Sequence, residues 1–243
     1  MTLAILSALH DEQRGLIEQL YQPYRTLHAG REFWQGQLQG HPVVLALSKI
    51  GKVAAATTAT ALIEKFGARR IVFTGVAGGI GPGVQVGDIV VAHQLVQHDL
   101  DASPLFPRFE VPFYGQSSFT ADPQLTEQLL QACCAAMVAL GQPGKVHHGL
   151  LASGDQFVSC AQAAHTLRRD LALAGHDALA VEMEGAAVAQ VCHDYGLPFA
   201  AVRTISDRAD ASAHVDFKVF ARDVASRYAC AIVQALLKSL SIQ

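Results

Sequence analysis

Phe199 to Asp210 reads Phe-Ala-Ala-Val-Arg-Thr-Ile-Ser-Asp-Arg-Ala-Asp, and this stretch decides the fold class. Its first half is a short apolar, β-branched run, which is typical of a buried strand in a parallel sheet. Its second half is polar and contains Ser206 and Asp207. Ligands of open α/β sheets bind just beyond the carboxyl ends of strands, so these two residues have the position of active-site groups. An aspartate that caps the next helix gives the same pattern, and this stretch alone leaves both interpretations open.

A second carboxylate stands where the first predicted strand meets the first predicted helix. Leu3 to Ala8 is an apolar run, and Asp11 to Tyr21 has apolar residues at helical spacing, so Glu12 lies at the junction. Glu12 either projects into a site at the carboxyl edge of the sheet or is an acid favoured by the helix macrodipole in the first turn.

A third junction carries two carboxylates. The predicted strand Ala178 to Met183 ends in Glu182-Met183-Glu184, and a helix is predicted over Gly185 to Tyr195. Because unpaired buried acids are costly, carboxylates here indicate either a functional site or a helix cap or ion pair.

Two further strand ends carry features suited to a small ligand. Phe157 follows the predicted strand Val146 to Ser153 and either stacks on a flat base or belongs to the core. Arg70 to Thr74 predicts a strand, and Gly75 to Gly83 predicts a loop with five glycines; Ala77 and Gly78 are its candidate binding residues. Such a loop lets backbone N–H groups approach a ligand with hydroxyls, although a tight turn has the same composition. No Gly-Lys-Ser/Thr follows, and a strand rather than a helix is predicted next, so neither nucleotide-loop motif is present.

The remaining pattern predicts one α/β domain over residues 1–243, with a central mixed twisted sheet flanked by helices. Glu32 to Leu38 and Val43 to Ser48 predict a hairpin around Gln39 to Pro42, and Val84 to Val96 predicts two strands around Gly87-Asp88. The other predicted helices are Val53 to Phe66, Asp122 to Leu140 (Asp122 as N-cap, Pro123 at its first position), Ala161 to Leu173 and Asp216 to Leu240.

Composition excludes several classes of function. The net charge is −3 and no block of basic residues occurs, which argues against a nucleic-acid partner. No apolar run has the length of a membrane span and the N-terminus lacks a signal-peptide pattern, so we expect a soluble, cytoplasmic protein without a membrane partner. The five cysteines lack Cys-x-x-Cys spacing and are expected to be reduced core residues.

Two motifs in the middle of the chain need separate mention. His98-Asp99-Leu100-Asp101 looks like a metal-ligand cluster, but no second cluster would complete the coordination, so we expect no metal and no cofactor. The segment from Ser103 to Ser118, here called the aromatic segment, has four aromatic rings and three prolines, which indicates a binding lid or a subunit contact.

Taken together, the blocks resemble bacterial 5′-methylthioadenosine/S-adenosylhomocysteine nucleosidases, within the purine nucleoside phosphorylase superfamily. The resemblance covers nearly the whole chain and rests on many blocks in one order. They are Ala8 to Glu12, Ile50-Gly51-Lys52-Val53-Ala54-Ala55-Ala56, Thr74 to Gly79, Val86 to Val91, Ser153-Gly154-Asp155 with Phe157, Val181-Glu182-Met183-Glu184, and Val202-Arg203 with Ile205-Ser206-Asp207.

The resemblance implies a nucleoside phosphorylase-like fold, a homodimer and hydrolysis of the N-glycosidic bond between adenine and a 5′-thio-substituted ribose. It implies that Asp207, oriented by Ser206, protonates or hydrogen-bonds N7 of the base, and that Glu12 deprotonates a water oriented by Arg203. In the same way it implies contacts of the substrate with the following residues: Ala77, Gly78, Phe157 (stacked on the base), Val158 (backbone to the base edge), Met183 (against the sugar) and Glu184 (on the ribose hydroxyls).

Two positions depart from the family pattern. Val76 stands where a serine is frequent, so the attacking water loses one expected hydrogen bond, and the lid from Leu100 to Gly115 has its own sequence. The preference for the 5′-substituent is therefore open. The alternatives are a futalosine or other 6-oxopurine nucleoside hydrolase, a nucleoside phosphorylase, which needs phosphate contacts that His10-Asp11-Glu12 does not offer, and a non-catalytic nucleoside-binding protein.

Overall fold

A computed structural model describes residues 2–240, apart from the side chains at positions 215, 221 and 223. The strands are β1 (Leu3–Ser7), β2 (Tyr21–His28), β3 (Arg31–Leu38), β4 (His41–Leu47), β5 (Arg70–Gly79), β6 (Ile89–Gln97), β7 (Ser118–Thr120), β8 (Val146–Ser153), β9 (Ala178–Glu182) and β10 (Phe199–Asp207). The helices are α1 (His10–Ile17), α2 (Lys52–Glu64), α3 (Pro123–Leu140), α4 (Ala161–Leu173), α5 (Gly185–Asp194), α6 (Ala213–Phe220) and α7 (Ser226–Ser239). In this part of the chain no helix is both long enough and apolar enough to cross a membrane.

All ten strands belong to one mixed sheet, which confirms the predicted fold class. The neighbours run in the order β10-β6-β8-β9-β5-β1-β4-β3-β2, with β7 beside β6. A further pairing of β10 with β5 closes β5, β10, β6, β8 and β9 into a ring. β1, β5 and β10 are parallel, so their carboxyl ends meet at one edge. β9 is antiparallel to β5 and meets that strand at Gly78 and Gly79.

Helices cover both faces of the sheet. One apolar core lies under α2 and α5, and a second lies under α1, α3 and α7. The prediction of a single domain over residues 1–243 stays a prediction, and position 1 and positions 241–243 lie outside the described residues.

Several local predictions are confirmed. β3 and β4 form the predicted antiparallel hairpin, with Gln39 and Gly40 at positive φ in the turn. Asp122 caps α3 by accepting the Leu125 N–H at 2.8 Å, Pro123 is the first helical residue, and Gly141 ends the helix in the left-handed conformation.

The predicted loop Gly75 to Gly83 is wrong in its first half. Gly75 to Gly79 continue β5 and pair with β10 and β9. The glycines are needed in this strand because side chains from neighbouring elements lie against its backbone. A Cβ at Gly75 would lie 3.1 Å from Oε1 of Glu12, and one at Gly78 would lie 2.9 Å from Oδ1 of Asp207.

Other boundaries also differ. The first helix ends at Ile17 rather than Tyr21, because Tyr21 begins the exposed edge strand β2. The predicted strand before Gly87 is a turn, and β6 begins at Ile89. The predicted helix Asp216 to Leu240 begins at Ala213 and is interrupted by a π-helical segment, Ala221–Ala225.

Candidate active site

A cavity of about 350 Å³ lies where β1, β5, β9 and β10 end. Its volume is in the range of small-molecule sites. Nine of the ten predicted site residues line it: Glu12, Ala77, Gly78, Phe157, Val158, Met183, Glu184, Ser206 and Asp207. The sequence prediction therefore converges on one place, and Arg203 is the exception.

Glu12 is buried at the first turn of α1. It is both an acid in the first helical turn and a residue of the cavity, so both interpretations of its sequence position hold. Its Oε2 accepts the N–H groups of Ala8 and Leu9 at 2.9 Å each, as a helix-capping carboxylate does, and its Oε1 accepts the Val76 N–H at 3.2 Å. Burial raises the pKa of Glu12, while the Leu9 N–H and the charge of Arg203 oppose that shift. The carboxyl group is therefore fixed in place and faces the cavity.

Asp207 and Ser206 end β10 together. The pairing with β5 is irregular between Ile205 and Asp207, and this irregularity lets two successive side chains face the same cavity. The Ser206 hydroxyl lies 2.8 Å from Oδ2 of Asp207, and Oδ1 accepts the Ala209 N–H at 2.8 Å. Burial raises the pKa of Asp207 against these hydrogen bonds, which favours its protonated form.

Glu184 lies between β9 and α5 and is also buried. Its Oε1 accepts the N–H of Gly51 at 2.8 Å, and Gly51 has a φ of 99°, which orients that N–H toward the cavity. Burial, together with the negative charge of Glu182, raises the pKa of Glu184 to about 8.

Arg203 lies below the cavity wall and does not line the cavity. Its Nη2 lies 2.6 Å from Oε2 of Glu182, and its Nη1 donates to the carbonyl groups of Phe73 and Val202 at 3.2 and 3.0 Å. Its guanidinium also lies over the Phe73 ring, 4.1 Å from the ring centroid. Arg203 is thus placed to act on Glu12 through its charge, and the contacts place it in a buried ion pair.

Glu182 is the partner that holds Arg203 and the start of α5. Its carboxylate accepts the N–H groups of Glu184 and Gly185 at about 3 Å and the hydroxyl of Ser153. Ser153 in turn accepts the Ala186 N–H at 2.7 Å. The carboxylate is therefore fully occupied, which agrees with the ion-pair and helix-cap interpretation of this junction.

An aromatic pair forms the wall opposite the carboxylates. Phe157 is about half exposed, and Phe217 from α6 meets it edge to face with ring centroids 5.6 Å apart. Val158 is buried beside them. Aromatic rings of this kind are suited to stacking on a flat base.

A hydrogen-bonded ion cluster ties this wall to the Glu184 side, and we call it the Lys52 cluster (Lys52, Asp99 and Asp155). The Lys52 Nζ lies 2.5 Å from Oδ1 of Asp99, and Oδ2 of Asp99 accepts the Asp155 N–H at 2.8 Å. Oδ1 of Asp155 accepts the Lys52 N–H at 2.7 Å. Because Gly51 precedes Lys52 and Phe157 follows Asp155, the cluster fixes both sides of the cavity.

The His98-Asp99-Leu100-Asp101 motif therefore contributes to an ion cluster. Among residues 2–240, no group of three or more His, Cys, Asp or Glu side chains is arranged to hold a metal ion.

The aromatic segment does not line the cavity of its own chain, and its role as a lid or a subunit contact stays a prediction. Within the segment, Phe109 is buried, whereas Leu105 and Phe113 are 83% and 93% exposed. Phe106 and Phe113 contact edge to face, so the rings pack on one another and point outward.

Sequence reasoning missed three contributors to the site. Phe217 and Leu9 line the cavity from α6 and from the turn before α1, and neither position has a local signal. Gly51 donates its N–H to Glu184, and a glycine between a strand and a helix is the signal that could have identified it.

The chain is similar to known proteins over nearly its whole length. The family model described as "Phosphorylase superfamily" matches residues 2–238. A 5′-methylthioadenosine/S-adenosylhomocysteine nucleosidase of Shewanella denitrificans is 36% identical over 99% of this chain and 100% of its own.

Solved structures with this fold include nucleosidases and a related hydrolase. The 5′-methylthioadenosine/S-adenosylhomocysteine nucleosidase of Neisseria meningitidis, in complex with methylthio-immucillin-A, has a TM-score of 0.89 and 33% identity, covering 98% of this chain and 99% of its own. Futalosine hydrolase of Helicobacter pylori has a TM-score of 0.87 and 30% identity, covering 99% of this chain and 98% of its own.

Proposed function

This chain belongs to the phosphorylase superfamily, and from that premise we propose that it is a hydrolase that cleaves the N-glycosidic bond of 5′-methylthioadenosine and S-adenosylhomocysteine. The observation that carries the proposal is the convergence of three buried carboxyl groups, Glu12, Glu184 and Asp207, on one cavity of nucleoside size. The products are adenine and the 5′-substituted ribose.

Asp207 is the proposed acid. The glycosidic C–N bond breaks with its electron pair moving into the base, and a proton delivered to N7 stabilises that negative charge. The raised pKa of Asp207, caused by burial, supplies a protonated carboxyl group closer to neutral pH than a free aspartate does. The Ser206 hydroxyl, 2.8 Å away, holds its orientation.

Glu12 is the proposed base. A water oxygen bonds to the anomeric carbon as the base departs, and the water proton passes to Glu12. The three backbone N–H groups on Glu12 fix its oxygens, and the raised pKa makes it a stronger base than a free glutamate. Negative charge near the sugar also stabilises the cationic character that develops there in the transition state.

The other lining residues bind and orient the substrate. Glu184 and Met183 would contact the ribose, and Phe157 with the Val158 backbone would hold the base. Ala77 and Gly78 would bring the β5 backbone close to the nucleoside, since Gly78 has no side chain to occupy that space. Arg203 supports Glu12 through its charge and, in the free protein, does not reach the cavity.

Hydrolysis is favoured over phosphorolysis by the charge of the cavity. Among the described residues that line it, four are acidic and none is Lys, Arg or His. A phosphate ion would meet carboxylates without a cation to offset their repulsion. Water is therefore the nucleophile that fits.

Futalosine is the second candidate substrate, because a futalosine hydrolase shares this fold with a TM-score of 0.87. A carboxyl group at N7 serves an adenine or a 6-oxopurine equally well. The test must therefore compare release of adenine with release of hypoxanthine.

A homodimer in the cytoplasm completes the proposal. Leu105 and Phe113 expose large apolar surfaces that their own chain leaves uncovered, as a subunit interface would. The five cysteines are all free, which fits a reducing compartment. Sedimentation analysis is expected to give a dimer for the wild-type protein and a larger monomer fraction for Phe113→Asp.

The test of the function is a substrate panel with product identification. The protein is incubated with methylthioadenosine, S-adenosylhomocysteine, 5′-deoxyadenosine and futalosine, each with and without phosphate, and the products are separated by chromatography. Adenine and free 5′-substituted ribose, formed at a rate independent of phosphate, are expected. Phosphate-dependent formation of a ribose 1-phosphate would refute hydrolysis.

A further inference from the structure

A second cavity adjoins the first and has no role in the reaction described above. Its volume is about 520 Å³, and Ala8, Leu9 and Ile50 line both cavities. Leu9 donates its N–H to Glu12. Ile50 precedes Gly51, which donates its N–H to Glu184. The two cavities therefore meet beside the carboxyl groups assigned to the water and the ribose.

The walls of the second cavity offer positive charge. The charged residues that line it are the basic Arg31 and Lys49 and the acidic Glu32. Glu32 is already engaged, because the Arg25 guanidinium lies 2.9 Å from its Oε1 and the Trp34 indole N–H lies 3.3 Å from its Oε2. The acid therefore does not neutralise the basic groups beside it.

Arg31 and Lys49 have no carboxylate partner among residues 2–240. The guanidinium of Arg31 donates only to backbone carbonyl groups, those of Ala29, Ser48 and Ala54, at 3.0 to 3.4 Å. The ammonium of Lys49 has neither an ion pair nor a hydrogen bond in that range. A cation with no partner, held at the rim of a cavity, is a site for an anion.

The backbone holds Lys49 in this position at some cost. Lys49 has a φ of +67°, in the left-handed region that side-chain-bearing residues seldom occupy, and Gly51 follows with a φ of 99°. The two together turn the chain between β4 and α2 so that Ile50 borders both cavities. Backbone strain of this kind is concentrated at binding sites.

We infer that the second cavity is a subsite for the amino-acid end of a 5′-thioether substituent, whose carboxylate pairs with the Lys49 ammonium. The inference rests on the proposed function, since it requires a nucleoside in the first cavity. A methylthio group is too short to reach the second cavity, whereas the homocysteinyl chain ends in a carboxylate beyond two methylene groups. Lys49 therefore sets the preference between two substrates that share the reacting atoms.

The expected effect is selective and modest. Lys49 is exposed, and an ion pair at an exposed position contributes little, so loss of the Lys49 ammonium is expected to lower kcat/KM for S-adenosylhomocysteine by about three- to tenfold. The contact is the same in the ground and transition states, so the loss is expected in KM, with kcat unchanged. The value for methylthioadenosine is expected to stay within about twofold of the wild type.

The experiment compares Lys49→Met and Lys49→Glu with the control Lys238→Met, an exposed lysine on α7. Each variant is assayed with methylthioadenosine, with S-adenosylhomocysteine and with decarboxylated S-adenosylhomocysteine, which keeps the ammonium group. Lys49→Met should remove the advantage of the carboxylate-bearing substrate over its decarboxylated analogue, and Lys49→Glu should reverse it.

Three results would overturn the subsite. The first is an unchanged ratio of kcat/KM between the substrates in both Lys49 variants, and the second is an equal loss of kcat/KM for all substrates. The third is an equal loss accompanied by a shift from dimer to monomer, which would show that a second copy covers the cavity. If the wild-type protein cleaves none of the nucleosides, the proposed function fails. Calorimetric binding of S-adenosylhomocysteine to the wild type and to Lys49→Met then still tests the subsite.

Discussion

Glu182 and Glu184 lie on either side of Met183, and both are buried, yet they belong to two different regions of the molecule. Glu182 borders the cavity but belongs to an ion-pair region, where Arg203, Ser153 and two backbone N–H groups occupy its oxygens. Glu184 belongs to the cavity wall, where the Gly51 N–H is its hydrogen-bond partner among residues 2–240.

The two carboxylates differ in whether an opposite charge and hydrogen bonds offset their loss of hydration. A buried charge is stable when an opposite charge and hydrogen bonds offset its loss of hydration, which holds for Glu182. Glu184 lacks such an offset, so burial and the neighbouring charge of Glu182 raise its pKa. Burial of a carboxylate therefore does not by itself mark a functional group, whereas burial with free lone pairs beside a cavity does.

The largest expected effect comes from removing the charge of Glu182. Glu182→Gln leaves the Arg203 guanidinium buried without a counter-ion, so the free energy of unfolding is expected to fall by about 3–5 kcal/mol. Urea denaturation at neutral pH measures the change. The control is Asp177→Asn, which removes the exposed ion pair with Arg168 and should change the value by less than about 1 kcal/mol. A loss for Glu182→Gln no larger than the control's would contradict the distinction.

Glu184→Gln is expected to act in the opposite direction on stability. The folded-state pKa of Glu184 is raised to about 8, above that of an unfolded glutamate near ~4.3, so the folded state binds the proton more tightly. Ionisation of Glu184 therefore lowers stability as the pH rises through this window, by up to about 1.4 kcal/mol per pH unit.

The variant should thus be more stable than the wild type at pH 8 and gain less at pH 5. Thermal unfolding at the two pH values measures the difference, and nucleosidase activity should fall because a ribose contact is lost. Equal stability of the two proteins at both pH values would show that Glu184 is compensated as Glu182 is.

A smaller effect is expected at the Lys52 cluster, which lies outside both regions. Asp99→Asn weakens the contact with the Lys52 ammonium, at 2.5 Å, and so loosens the turns that carry Gly51 and Phe157. We expect KM for the nucleoside to rise by about tenfold, which is about 1.4 kcal/mol, with a smaller change in kcat.

Asp101→Asn is the matched control, because Asp101 belongs to the same motif and its carboxylate is hydrogen-bonded to Ser103 rather than to the cluster. Steady-state kinetics of the two variants make the comparison. A change in KM that is the same in both would show that the motif acts through the aromatic segment rather than through the cluster.

The sequence predicts the cavity residues because the signal is local at each of them. Glu12, Glu184 and Asp207 each stand where an apolar run ends and a polar stretch begins. The parallel strands β1 and β10 bring Glu12 and Asp207 to one edge, and β9 brings Glu184 there through its antiparallel pairing with Gly78 and Gly79. Residues of this kind can be found without knowledge of their partners.

Features that depend on pairing across the fold are out of reach of such local patterns. Arg203 meets Glu182 from another strand, so its ion pair is invisible in either stretch alone. The glycines of β5 have the composition of a loop, and only the approach of Glu12 and Asp207 explains them as a strand. Phe217 lies in α6, and only the packing of α6 beside Phe157 brings it to the cavity.

The most direct test of the central claim is the rate of adenine release from methylthioadenosine by Asp207→Asn. The variant keeps the size of the side chain and its contact with Ser206 but cannot give a proton to N7, so kcat should fall by about 10²- to 10⁴-fold. Circular dichroism and urea denaturation should show an intact fold, and Asp210→Asn should keep its activity within about twofold of the wild type. A kcat for Asp207→Asn within tenfold of the wild-type value would contradict the assignment of the acid.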